Sequence, residues 1–203
     1  KTARIASVGA TGSFTGNMTI RKFISARVKG WHELSSPVQS TTIYDWDNEM
    51  YMSGFSNVDS PAGIAGVDGS AGGFKSVQLW SEPTGTYAAV TNSNTVLGVG
   101  KAYDVYLSDN MSNWTSKTIN TIGVPSFGTK TLTCTFSGPI TYRGSNLLGN
   151  PFASAIDWAL CTKTNLAANI QVLDNSGNLV VLASGIIPTH QGFWVTATSN
   201  GAS

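Results

Sequence analysis

The chain has 203 residues, of which 41% are hydrophobic and 11% charged, and its formal net charge is +1. That is enough apolar material for one large or two small cores, which excludes a disordered tail. The balanced charge, with no basic run interleaved with aromatics, argues against a nucleic acid or an anionic membrane as partner. No apolar run approaches the roughly 18–20 residues of a membrane-spanning helix. Ser, Thr, Asn and Gly carry much of the polarity, which suits strands joined by tight turns. Because Lys1 opens no signal-peptide pattern, the sequence is expected to be a mature chain or an excised piece.

Residues 1–13 precede any repeat and contain the alternating run Ala3-Arg4-Ile5-Ala6-Ser7-Val8. They are expected to add a strand to their own sheet or a neighbouring molecule's, or to fray. Met18 to Ile24 then reads as an opening strand. From there an internal repeat dominates the sequence. Gly30-Trp31-His32-Glu33-Leu34-Ser35-Ser36-Pro37-Val38 aligns without a gap on Gly144-Ser145-Asn146-Leu147-Leu148-Gly149-Asn150-Pro151-Phe152. Ile43-Tyr44-Asp45-Trp46 answers Ala155-Ile156-Asp157-Trp158. Val77-Gln78-Leu79-Trp80, with a turn at Pro83-Thr84-Gly85, mirrors Ile170-Gln171-Val172-Leu173, with a turn at Asp174-Asn175-Ser176-Gly177. Gly100 to Tyr106 parallels His190 to Thr196. Four blocks in one order argue for duplication. The expected fold is all-β, with two similar β-sandwich, jelly-roll-like halves at residues 14–108 and 129–203, joined by a linker at 109–128. A strand crossing that junction would join both halves into one sheet. Thr129 to Phe136 is the expected opening strand of the second half, and helix is limited to a turn or two at Ser154 to Leu160 that seats Trp158.

These blocks resemble segments of large secreted and cell-surface proteins of Bacteroidetes exported by the type IX secretion system. Gly30 to Val38 and Leu147 to Trp158 carry the two module signatures. Pro188-Thr189-His190-Gln191-Gly192-Phe193-Trp194-Val195 looks like the family's Pro-x-Gly-Gln-Gly-Phe-Phe-Val block, with His190 in place of its usual Gly. The resemblance implies an extracellular or outer-cell-surface location and carries no catalytic signature. It also implies a carboxy-terminal sorting domain beyond this piece, which Gly201-Ala202-Ser203 does not show.

Convergent chemistry is thin. His32 and His190 fall at non-equivalent places with no metal-ligand spacing, so no zinc site is expected. Asp45 and Asp157 form a tempting carboxylate pair, but each precedes a Trp at the same place in its repeat, where a turn cap is the simpler role. Asp45, Asp47 and Glu49 begin like a calcium loop, yet Met50 and Ser56 stand where Gly and a bidentate Glu are needed; calcium is the only cofactor in view, and a solvated turn is preferred. Asp174 to Asn178 reads as a hairpin turn. Cys134 and Cys161 allow one disulfide, or stay thiols with Cys134 facing the core. Trp114 and Tyr51 lie outside the repeat blocks and are the candidate exposed aromatics for stacking on sugars. The sequons at Asn17, Asn110 and Asn113 match chance. The expected function is a non-catalytic structural or adhesive surface module that self-associates, through edge strands or end-to-end stacking; the alternative is a carbohydrate-binding module with surface glycans as partners.

Overall fold

The computed structural model describes residues 12–25, 30–47, 49–50, 52–55, 74–107, 115–174 and 176–203. It is nearly all β, built from several antiparallel sheets. The first half contains β1 (Met18–Ile24), β2 (Gly30–Ser35), β3 (Val38–Gln39), the short helix α1 (Ile43–Asp47), β4 (Val77–Ser81), β5 (Thr86–Ala89) and β6 (Ala102–Leu107). β7 (Lys117–Pro125) follows. Then come β8 (Ser145–Gly149), β9 (Ile156–Asp157), a 3-10 turn at Trp158–Leu160, β10 (Leu166–Leu173), β11 (Leu179–Leu182), β12 (Ile186–Ile187) and β13 (Gly192–Ala197).

Two four-stranded sheets carry the same order, β2-β6-β4-β5 in the first half and β8-β13-β10-β11 in the second. The equivalence extends to register. Glu33 faces Asp104 and Gln78 faces Asp104 in one sheet, as Leu147 faces Trp194 and Gln171 faces Trp194 in the other. Gln78 opposite Ala89 likewise matches Gln171 opposite Val181. Every residue equated by the sequence repeat in these strands therefore occupies the equivalent place in its sheet.

Alternation decides what each face does. In the first sheet Leu34, Val77, Tyr103, Val105 and Leu107 turn to one core, which also holds Trp46, Met50, Met52 and Phe55. In the second, Ile170, Phe193, Val195 and Ala197 turn to another core with Trp158 and Cys134. The opposite faces of the two sheets meet back to back. Gly149 and Gly192 stand at the crossing, where a Cβ on Gly192 would come within 2.7 Å of the Glu33 Cβ and 2.8 Å of the Ala102 Cβ, and one on Gly149 would collide with Ser35 and the Lys101 carbonyl. Small residues are the condition for this approach.

β7 runs through the segment expected as a linker and is the central strand of a third sheet, β1-β7-β3, placing Ile24 and Ile119 in the first core. The opening strand of the first half occupies Met18–Ile24 as expected. Thr129 to Phe136, expected as the opening strand of the second half, is not a strand: among the described residues it makes one bridge, Cys134 to Ala202, where the Cys134 backbone N–H donates to the Ala202 carbonyl. Residues 1–11, with their expected pairing, lie outside the described residues.

Gly192→Val inserts a branched side chain at the crossing. Overpacking of this kind costs about 1–3 kcal/mol, and the expected outcome is a lower urea midpoint with an unchanged slope.

Candidate functional site

The carboxylates singled out by sequence act as caps. Asp45 Oδ2 accepts from the Thr42 backbone N–H at 2.6 Å and from the hydroxyls of Thr41 and Thr42 at 2.7 and 3.0 Å, fixing the start of α1. Asp157 Oδ1 accepts from the Ala159 N–H at 3.0 Å, capping the 3-10 turn that seats buried Trp158. Asp174 Oδ1 accepts from the N–H groups of Ser176 and Asn178 at 2.8 and 2.9 Å, closing the β10–β11 hairpin. Glu49 accepts from the Asn120 amide at 2.6 Å, and Met50 is buried in the core. Asp45 and Glu49 are thus engaged by Thr41, Thr42 and Asn120, as a turn requires, and the side chain of Asp47 lies outside the described residues. Among the described residues no group of three His, Cys, Asp or Glu side chains is placed to hold a metal.

Of the two states left open for Cys134 and Cys161, the structure has the thiols: both are free and belong to the second core, Cys134 buried in it and Cys161 packed against it and donating weakly to the Asp157 carbonyl at 3.4 Å. Burial pushes both thiols up from their ordinary value, which keeps them unreactive. Trp114, Tyr51, Asn110 and Asn113 lie outside the described residues.

What the fold brings together is the seam between the two back-to-back sheets. It is held by reciprocal contacts: Leu34 bridges Gln191 and Leu148 bridges Lys101, while Ser35 N–H donates to the His190 carbonyl at 3.0 Å and Gly149 N–H donates to the Gly100 carbonyl at 2.8 Å. Leu34 and Leu148, Ser35 and Gly149, and His190 and Gly100 are repeat equivalents, so each half makes the same contact to the other. His190 takes φ of 60°, close to the 77° of Gly100, because the turn needs a left-handed residue there.

One end of the seam is anchored by Glu82, in the β4–β5 turn. Its carboxylate is buried and accepts from the N–H groups of Ser137, Gly138 and Gly144 at 3.0, 2.9 and 2.8 Å. Burial alone would raise this carboxyl, but the N–H groups of Gly144, Gly138 and Ser137 outweigh it and hold it at about 2. Beside it Trp80 donates to the Ser145 carbonyl at 2.6 Å and meets Trp194, Tyr87 and Tyr142 edge to face.

The middle of the seam is acidic. Glu33 and Asp104 face each other across β2 and β6, are 3% and 8% exposed, and are both pushed up to about 7, chiefly by burial. The Trp194 indole donates to Glu33 Oε1, and Glu33 Oε2 is buried without a hydrogen-bond partner. At the far side His190 is buried against Thr121, with its Nε2 2.9 Å from the hydroxyl; burial and then the nearby Lys22 charge hold it neutral down to about 3. Lys22 donates to Gln191 Oε1 at 3.2 Å and is lowered to about 8 by burial.

Sequence reasoning missed Glu33, Asp104 and Glu82. A signal for the first two was present: they stand where the other copy has Leu147 and Trp194. Two surface clefts stand out, the first beside the seam and the second against the second core. One, of about 470 Å³, is lined by Trp80, Glu82, Lys101, Thr133 and Asn146; the other, of about 490 Å³, by Leu148, Phe152, Trp158, Leu166 and Phe193. The chain matches no family model, no curated protein and no solved structure.

Glu82→Gln replaces a buried anion with an amide whose NH₂ opposes backbone donors. A loss of about 2–3 kcal/mol is expected at pH 7. Glu82 has a depressed folded value, so its ionic contribution is complete above about 4.5 and fades as pH falls toward about 2. The wild type should therefore converge on the variant in acid, measured by urea unfolding at several pH values.

Proposed function

We propose that the chain is a non-catalytic structural or adhesive β module acting outside the cell or on its surface. The observation that carries this reading is the seam, which joins two equivalent sheets by reciprocal contacts into one body. Its buried Glu82 and Glu33 carboxylates are engaged by backbone donors and by Trp194 across the join. The resemblance of the repeat blocks to Bacteroidetes secreted proteins supports the location.

Self-association through sheet edges is the mode of assembly that this architecture favours. Among the described residues β5 and β11 are equivalent outer edges, each paired on one side. Neither contains a charged residue or a Pro, the usual devices that blunt an edge. Leu179 and Val181 are 49% and 57% exposed on β11, and the net charge of +1 offers little repulsion between copies. Light scattering is expected to give a mass that rises with concentration, and Val181→Lys should hold the protein monomeric without changing its melting temperature. A concentration-independent monomer would remove the assembly.

Carbohydrate binding is the second reading, favoured by Tyr87 and Tyr142, 41% and 47% exposed, flanking Trp80 beside the polar cleft. Glycan-array signal abolished by Tyr142→Ala is its expected outcome, since loss of an aromatic platform removes about 1–3 kcal/mol per stacked ring by analogy with base stacking. An array without signal would eliminate it.

A further inference from the structure

The two sheets are equivalent residue by residue, and this makes one departure informative. At the pair of positions facing each other in the middle of the seam, the second sheet has Leu147 opposite Trp194, while the first has Glu33 opposite Asp104. The framework is therefore compatible with an apolar pair at this place, and burying two carboxyls there is not a requirement of the architecture.

Opposed residues on one face of an antiparallel pair have Cβ atoms roughly 4.5–5.5 Å apart. Two carboxylates at that distance, both shielded from water, cannot both ionise cheaply. Burial outweighs the relief that Trp194 and the Leu173 backbone give Glu33. Trp194 on β13 donates to Glu33 Oε1, and Glu33 Oε2 is buried and unpartnered. A small cavity of about 70 Å³ adjoins Glu33, with Lys22, His32, Leu173, Asp174 and Gln191 in its wall. Lys22 is the nearest cation in that wall, and its ammonium donates to Gln191. Burial first, and then Asp104 and Glu33, raise the phenol of Tyr87 on β5, which keeps its proton. His190 behind Gln191 is neutral against Thr121.

We propose that Glu33 and Asp104, side by side on the seam face of the first sheet, are both held there as neutral acids, making the join between the two sheets a pH-sensitive latch that holds in mild acid and loosens in alkali. As pH rises each carboxyl gives its proton to water, and no other bond is made or broken. Deprotonation leaves two buried anions opposite one another, and the strain falls on the layer of side chains that holds the sheets together.

The sign follows from burial. Raised carboxyls keep protons that the unfolded chain releases in the ordinary carboxylate range, so their contribution is complete below about 4.5 and is lost as pH rises through about 7. His190 works in the opposite sense, since the unfolded imidazole takes a proton below about 6.5 while the buried one does not. A comparison of wild type with Glu33→Leu, which introduces the residue of the other half, cancels the His190 contribution.

The ratio of folding constants, variant over wild type, is expected to rise up to about ten-fold per pH unit between pH 5 and pH 7, the slope of one bound proton. A ratio independent of pH overturns the proposal. Carbon-13 carboxyl resonances of the intact wild type give a readout that needs no variant. A Glu33 or Asp104 carboxyl titrating near neutrality supports the retained protons, and both titrating in the ordinary carboxylate range overturn the proposal.

Discussion

Back-to-back approach of the two four-stranded sheets is the constraint on which the remaining structure depends. It is possible because Gly149 and Gly192 carry no Cβ where Ser35, Lys101, Glu33 and Ala102 come closest. Strands that near can exchange backbone hydrogen bonds at the crossing, which they do through Ser35 to His190 and Gly149 to Gly100. Once those bonds form, the relative position of the sheets is fixed to within a hydrogen bond's tolerance. The cores then lie on the outer faces, one closed by β1 and β7 and the other containing Trp158, Phe193 and Cys134.

A fixed seam with polar walls must satisfy its buried groups. Glu82 does so by accepting three backbone donors from the other half, where a neutral acceptor would bind them less strongly. His190 does so by losing its charge and engaging Thr121. Glu33 is satisfied on one oxygen only, and Asp104 faces it rather than a cation. The same desolvation that makes Glu82 a strong anchor therefore makes Glu33 and Asp104 a liability above neutrality, and the difference lies in what each carboxyl faces.

The repeat made much of this architecture readable from the sequence. Equating Gly30 with Gly144 and Val77 with Ile170 places residues at equivalent registers in two sheets, and hairpins at Pro83 to Gly85 and Asp174 to Gly177 follow from turn chemistry. Asp45 and Asp157 were legible as caps for the same reason, since each precedes a Trp in its own copy. The seam was not legible. Strand alternation says which residues share a face but not which of two faces meets another sheet, and a Glu in a strand is ordinarily a solvent-facing residue. β7 was hidden inside a polar stretch because its partners, β1 and β3, are distant in sequence. The free thiols show a similar limit, since common residence in one core does not imply a bond.

Departures from the repeat carry more functional information than its matches. Matching positions are explained by a shared framework: Leu34 and Leu148 bridge the seam in both copies, and Val105 and Val195 fill corresponding places in their cores. His190 in place of the Gly100 conformation is a departure that gives the seam a neutral, hydrogen-bonded group in contact with β7. Glu33 and Asp104 in place of an apolar pair give it an ionisable one. Both changes fall on the seam and both involve groups whose charge is altered by burial. A framework with two equivalent halves would close without them, so the residues that break its symmetry are where the chemistry specific to this chain resides.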